Sequence, residues 1–115
     1  MEKVDRLFVN LTSDSFEDFV SRGKHYEVRA YGSKFNELNV YEGRRVELRE
    51  AYNRRSLWTL VGKVFVGRLE TFFDDVNFRK VEPRAESAGQ AIKENAELLK
   101  HPDKYIVFEV LLNSK

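Results

Sequence analysis

Lys24, Glu27 and Arg29 stand close together directly after Gly23. A glycine in this position ends helices, because it takes the left-handed conformation at no steric cost. The residues that follow alternate, with Tyr26, Val28 and Ala30 on one side and His25, Glu27 and Arg29 on the other, which is the pattern of a half-buried strand. Glu27 and Arg29 therefore project from the same face. The plainest reading is a salt bridge between strand neighbours, a contact usually worth under about 1 kcal/mol at a surface. The same groups also carry chemistry. Lys24, at a helix-to-strand turn, offers a cation to a phosphate or a substrate carbonyl, and Glu27 with Arg29 can meet the donors and acceptors of a base edge.

Other side chains extend this reading. Lys34 adds a cation, and Tyr31 and Phe35 follow the strand, where a ring either stacks on a base or plugs the end of a barrel, the latter suiting Phe35 better. Trp58 is preceded by Arg54, Arg55 and Ser56, an arrangement that fits a stacking platform beside phosphate contacts. Its alternative is a core tryptophan in the most apolar run. Arg44, Arg45, Arg49, Arg54 and Arg55 form either a binding stripe or the soluble edge of a sheet.

The common catalytic patterns are absent from the sequence. The pairs Gly23-Lys24 and Gly62-Lys63 lack the upstream glycine and the following Ser or Thr of a phosphate loop, and no dinucleotide fingerprint occurs. His25 and His101 are the only histidines and there is no cysteine, so neither a metal nor another cofactor is expected. No Gly-x-Ser-x-Gly elbow is present.

The elements that must hold these residues can be read from periodicity and caps. Val4 to Leu11 suits a buried strand. Asp14 and Glu17 have the spacing of an N-cap and its N3 partner, so a helix is expected over 15–22. After the strand from His25 to Ala30, Gly32, Asn36, Asn39 and Gly43 punctuate a loop, and a strand opening at Val46 and Leu48 ends near Asn53. Leu57 to Leu69 reads as a long strand, bent at Gly62. Ser87 and Gln90 cap a helix over 87–100, which Pro102 bars from continuing, and Tyr105 to Leu112 is a final, central strand. With no crossover helix between residues 25 and 69, a doubly wound parallel sheet is disfavoured, and an α+β fold is expected: a mixed sheet or small barrel of five or six strands with two flanking helices.

The chain of 115 residues suits a single domain over 1–115. Its lack of cysteine, of a basic leader and of any long apolar run points to a cytoplasmic protein without a membrane span. The formal net charge is only +1, but it is unevenly spread. Residues 22–34 sum to +3, residues 44–68 to +5 and the first 21 to −3, so a basic face opposite an acidic one is expected.

The run from Asp18 to Tyr31, Asp-Phe-Val-Ser-Arg-Gly-Lys-His-Tyr-Glu-Val-Arg-Ala-Tyr, resembles the opening signature of the ASCH family, a helix ending in glycine followed by Lys-x-x-Glu-x-Arg. Order and spacing extend the resemblance over nearly the whole chain: a leucine, a turn at Gly43-Arg44 and a strand within Leu38 to Leu48, then a strand ending in aromatics from Gly62 to Phe73, then an acidic segment, helix and closing strand from Glu86 to Leu112. The resemblance implies a PUA-like barrel whose cleft is lined by the signature strand, in a family widely proposed to bind RNA. Some bacterial relatives are amidohydrolases that deacylate acetylated cytidine with a Lys, a Thr and a Glu. Lys24 matches their lysine, whereas Glu27 stands where they have threonine, and no glutamate of this sequence is assigned to theirs.

The leading expectation is thus a binding domain for RNA or a modified nucleoside, with Lys24, Arg29, Lys34, Arg54 and Arg55 toward phosphate and Glu27, Tyr31 and Trp58 toward a base. A small amidohydrolase using Lys24 and Glu27 on acetylated cytidine is the second, and an interaction or regulatory domain the third.

Overall fold

The computed structural model describes residues 3–51 and 55–112. Nine elements follow one another: β1 (Phe8–Leu11), α1 (Ser13–Ser21), β2 (Tyr26–Ala30), β3 (Arg45–Glu50), β4 (Ser56–Gly67), α2 (Leu69–Asp75), a 3-10 turn (Phe78–Lys80), α3 (Ala88–Leu98) and β5 (Tyr105–Leu112). The strands form one mixed sheet in the order β1-β3-β4-β5-β2, parallel between β1 and β3 and antiparallel elsewhere. The sheet curls into a half-barrel that brings its two edges within reach of each other. Arg29 Nη2 on β2 donates to the Asn10 carbonyl on β1 at 3.1 Å. This is the α+β, PUA-like architecture expected from the sequence.

Side-chain alternation divides the core between the two faces of the sheet. Val9, Leu11, Val46, Leu48, Val61, Ile106, Phe108 and Val110 point inward and pack with Phe16 and Phe19 of α1. Tyr105, Val107 and Val28 point the other way, onto Leu69, Phe72 and Val81. Over Tyr105–Phe108 β5 is thereby buried on both faces, which accounts for the unbroken β-branched and aromatic run there.

Several expectations about the elements need correcting. The N-cap of α1 is Thr12, whose Oγ1 accepts from Ser15 N–H at 3.1 Å; Asp14 lies inside the first turn. Ser87 caps α3 as expected, but Gln90 reaches back to the N–H of Glu86. β1 is shorter than Val4 to Leu11. β3 ends at Glu50, and Asn53 lies outside the described residues. The long strand stops at Gly67, and residues after it form a third helix, α2, because Leu69, Phe72, Phe73 and Val76 recur at helical spacing and cover the outer core. β4 does bend where Gly62 predicted, through a bulge between Val61 and Val64.

Candidate functional site

Lys24 is aimed by the end of α1. Gly23 adopts φ +82°, which turns the chain so that both Arg22 N–H and Lys24 N–H donate to the Asp18 carbonyl, at 3.1 and 3.0 Å. The Asp18 carboxylate is itself buried and held by Arg22 Nη1 at 2.9 Å and Arg84 Nη2 at 3.1 Å. His25 then docks through its N–H on the Lys80 carbonyl at 2.7 Å, and its own carbonyl accepts from Val110 N–H at 2.7 Å. The lysine between these anchors is turned inward. It is only 8% exposed, with Nζ 4.9 Å from the centroid of Phe19 and 3.3 Å from Glu27 Oε1.

Glu27, with its side chain 7% exposed, lies between two cations. Its Oε2 accepts from Arg29 Nε at 2.8 Å. Its Oε1 accepts no hydrogen bond from any described residue, because the Lys24 ammonium meets it as an ion pair without hydrogen-bond alignment. A buried carboxylate oxygen that lacks a donor is costly unless something else supplies one.

These side chains open on one cleft of about 350 Å³ between the two sheet edges and α3, lined by Asn10, Lys24, Glu27, Arg29, Glu82 and Asn95 among others. Burial raises the Glu82 carboxyl above the ordinary carboxylate range; the Lys24 charge opposes that rise and Asp18 adds to it. A protonatable carboxyl, a buried ammonium and an ion-paired carboxylate therefore share one space of small-ligand size. A larger hollow of about 460 Å³ lies against α2, with a floor of Tyr26, Phe65 and Phe72 and a rim including Lys63 and Lys80. It gathers no buried charge, so the chemistry belongs to the cleft.

The structure brings Lys24, Glu27 and Arg29 together, with Lys34 close to Arg29. Tyr31 lies outside the cleft lining: its hydroxyl donates to Glu37 and its ring carries Lys104 Nζ at 4.3 Å. Arg55 is tied to Glu50 by two bonds, at 2.6 and 3.1 Å, and to Glu17 at 3.2 Å. Trp58 is 44% exposed on the outer face of β4 under the Arg45 guanidinium, 4.6 Å away, well apart from β2 in the sheet order. Arg54 lies outside the described residues. Glu82, Asn10 and Asn95 were missed by sequence reasoning. Asn95 did leave a signal, as a polar residue in the apolar stripe of Ala88, Ala91, Leu98 and Leu99. Glu82 left none.

No protein-family model matches the chain, and no curated protein matches it. Solved structures do. The hypothetical protein PH0355 superposes with a TM-score of 0.74 at 15% identity, covering 94% of this chain and 99% of its own. The solution structure of PF0455 from Pyrococcus furiosus gives 0.68 at 15%, covering 96% and 99%. A tyrosine-to-phenylalanine variant of ZmASCH from Zymomonas mobilis gives 0.64 at 12%, covering 90% of this chain and 67% of that one. At these identities the likeness establishes the fold. The chain folds as an ASCH-like domain.

Proposed function

We propose that this domain binds RNA or a modified nucleoside through the Lys24–Glu27–Arg29 cleft, with a base inserted between the sheet edges. The observation that carries the reading is the buried Glu27 Oε1, which meets the Lys24 ammonium as an ion pair at 3.3 Å but accepts no aligned hydrogen bond from any described residue. An exocyclic amino group, such as cytosine N4, is the kind of donor a glutamate accepts from. Lys24 and Arg29 on either side would meet carbonyl or phosphate oxygens. Calorimetric titration with nucleosides and single-stranded RNA tests this. Lys24→Met and Arg29→Ala should weaken binding about tenfold, the size expected when a charged hydrogen bond is lost, while Lys93→Ala, on the exposed face of α3, should not. RNA affinity should fall with salt, by about 0.7 log units per log unit of salt for each phosphate contacted. Equal binding by all three variants would remove the cleft from the account.

A second reading, an amidohydrolase on acetylated cytidine, gains one observation: Glu82 supplies a carboxyl near Lys24 whose pKa burial raises above its ordinary value. Against it stands Glu27 where the resembling enzymes have a threonine hydroxyl. Glu27, ion-paired on both sides, is built to orient a ligand rather than to attack it. Acetylcytidine should be hydrolysed no faster than in buffer, as read by cytidine release over hours. Turnover that disappears in both Lys24→Met and Glu82→Gln would make hydrolysis the leading reading.

A further inference from the structure

A group of cations gathers on the seam beside the cleft, from segments far apart in the chain. Lys34 Nζ lies 4.1 Å from the centroid of Phe8 and 5.3 Å from that of Phe35. The Arg49 guanidinium lies 3.9 Å from the Phe8 centroid and that of Arg29 5.2 Å from the Phe35 centroid. Two rings thus cushion three positive groups. The repulsion is felt at Lys34, whose ammonium is held below the usual lysine range by burial first, then by the charges of Arg29 and Arg49. Arg49 has Glu47 at 2.9 Å, and Arg29 has Glu27 at 2.8 Å but shares it with Lys24. Lys34 has no carboxylate partner among the described residues.

Like charges held this close oppose folding unless a counter-charge is supplied, and the aromatic rings compensate only in part. The backbone under them is fixed. Asn39 Nδ2 donates to the Lys34 carbonyl at 2.9 Å, and Arg49 sits opposite Asn10 in the β1–β3 register. Asn10 is also the residue whose carbonyl receives Arg29, and it lines both the cleft and an adjoining hollow of about 360 Å³ that contains Arg49. The cation cluster and the cleft therefore meet at Asn10.

We propose that Arg29, Lys34 and Arg49 form a phosphate subsite, so that the ligand of the cleft is a nucleotide, free or within an RNA strand, rather than an unphosphorylated nucleoside. This rests on the reading of the cleft as a base site and adds the part of the ligand that a base site leaves open. The phosphate would neutralise the uncompensated charge, while Glu27 and Lys24 hold the base side of the ligand.

Calorimetry at low salt with the four ribonucleosides, their 5′-monophosphates, inorganic phosphate and a short single-stranded oligoribonucleotide tests it. At least one nucleotide should bind about tenfold tighter than its nucleoside, the effect expected of a charge-assisted contact. Lys34→Met, which keeps the stem on Phe8, and the double variant Lys34→Met with Arg49→Gln should erase that gap and leave the nucleoside affinity unchanged. A thermal melt confirms that each variant folds. Equal affinity of nucleoside and nucleotide for the parent, or a gap that survives in the double variant, overturns the subsite. Binding of inorganic phosphate that Lys34→Met abolishes, with no base-dependent affinity, would keep the subsite and overturn the base site; no binding by any of these compounds overturns both. An oligonucleotide about tenfold tighter than the mononucleotide assigns the phosphate to RNA, and equal affinity assigns it to a free nucleotide. Phosphate binding should also raise the Lys34 titration seen by NMR, a shift that a purely structural lysine would not make.

Discussion

Glu27 holds two cations at once, and its removal separates its roles. Glu27→Gln keeps the shape but leaves Lys24, with a side chain 7% exposed, short of its nearest counter-charge, so we expect a loss of about 3 kcal/mol in urea unfolding together with weaker base binding. Glu82 makes a different prediction. Burial raises its carboxyl pKa above the ordinary value of 4.5, so the folded state holds the proton more tightly than the unfolded chain. The stability this contributes is fully present below about pH 4.5 and is lost as pH rises through the raised value, a slope that Glu82→Gln should flatten. Because the Lys24 charge opposes the rise, Lys24→Met should move the Glu82 titration further up, as read by carboxyl NMR. Lys24, Glu27 and Arg29 were legible in the sequence because a glycine stop and strand alternation fix their directions locally. Glu82, in a loop before Pro83, reaches the cleft only through packing, which no local spacing encodes.

The bulge in β4 and helix α2 border the aromatic hollow rather than the cleft. The bulge in β4 is held where Lys63 N–H donates to Glu109 Oε1 at 3.1 Å, and a Cβ on Gly62 would collide with that carboxylate. Gly62→Ala should therefore displace Glu109 and break the bond, at a cost of about 1–2 kcal/mol in thermal or urea unfolding, whereas Gly32→Ala, with open space around it, should be near neutral. The glycine bend could be read from the sequence, since a small residue inside an apolar strand has few other uses. Helix α2 could not, because Leu69 to Phe73 continues an apolar run whose period becomes helical only over Leu69, Phe72, Phe73 and Val76. The N-cap of α1 was displaced for a related reason. Thr12 and Asp14 both suit the position, and the β1 register, with Leu11 buried opposite Glu50, places Thr12 there.

At the scale of the molecule, charge segregation along the sequence does not survive folding as a simple dipole. The acidic helix α1 is met by arginines from distant segments, with Asp14 and Asp18 facing Arg84 and Glu17 facing Arg55. Four cations, Lys24, Arg29, Lys34 and Arg49, lie where the sheet edges meet, and among the described residues only Glu27 and Glu47 are ion-paired with them. Sequence reasoning located Lys24, Glu27, Arg29 and Lys34 and offered Arg49 as one of a stripe of arginines; that Lys34 and Arg49 meet over Phe8 follows from the β1–β3 pairing and the curl of the sheet, which no local spacing encodes. In the proposed reading a base enters the cleft and gives Glu27 Oε1 the aligned hydrogen bond that its ion pair with Lys24 does not. NMR titration of isotope-labelled protein with cytidine and cytidine monophosphate tests it most directly. Saturable shifts are expected at Lys24, Glu27, Arg29 and Asn95, lost in Glu27→Gln, with no change around Tyr26, Phe65 and Phe72. Shifts confined to that aromatic hollow, or a response that Glu27→Gln leaves intact, would contradict it.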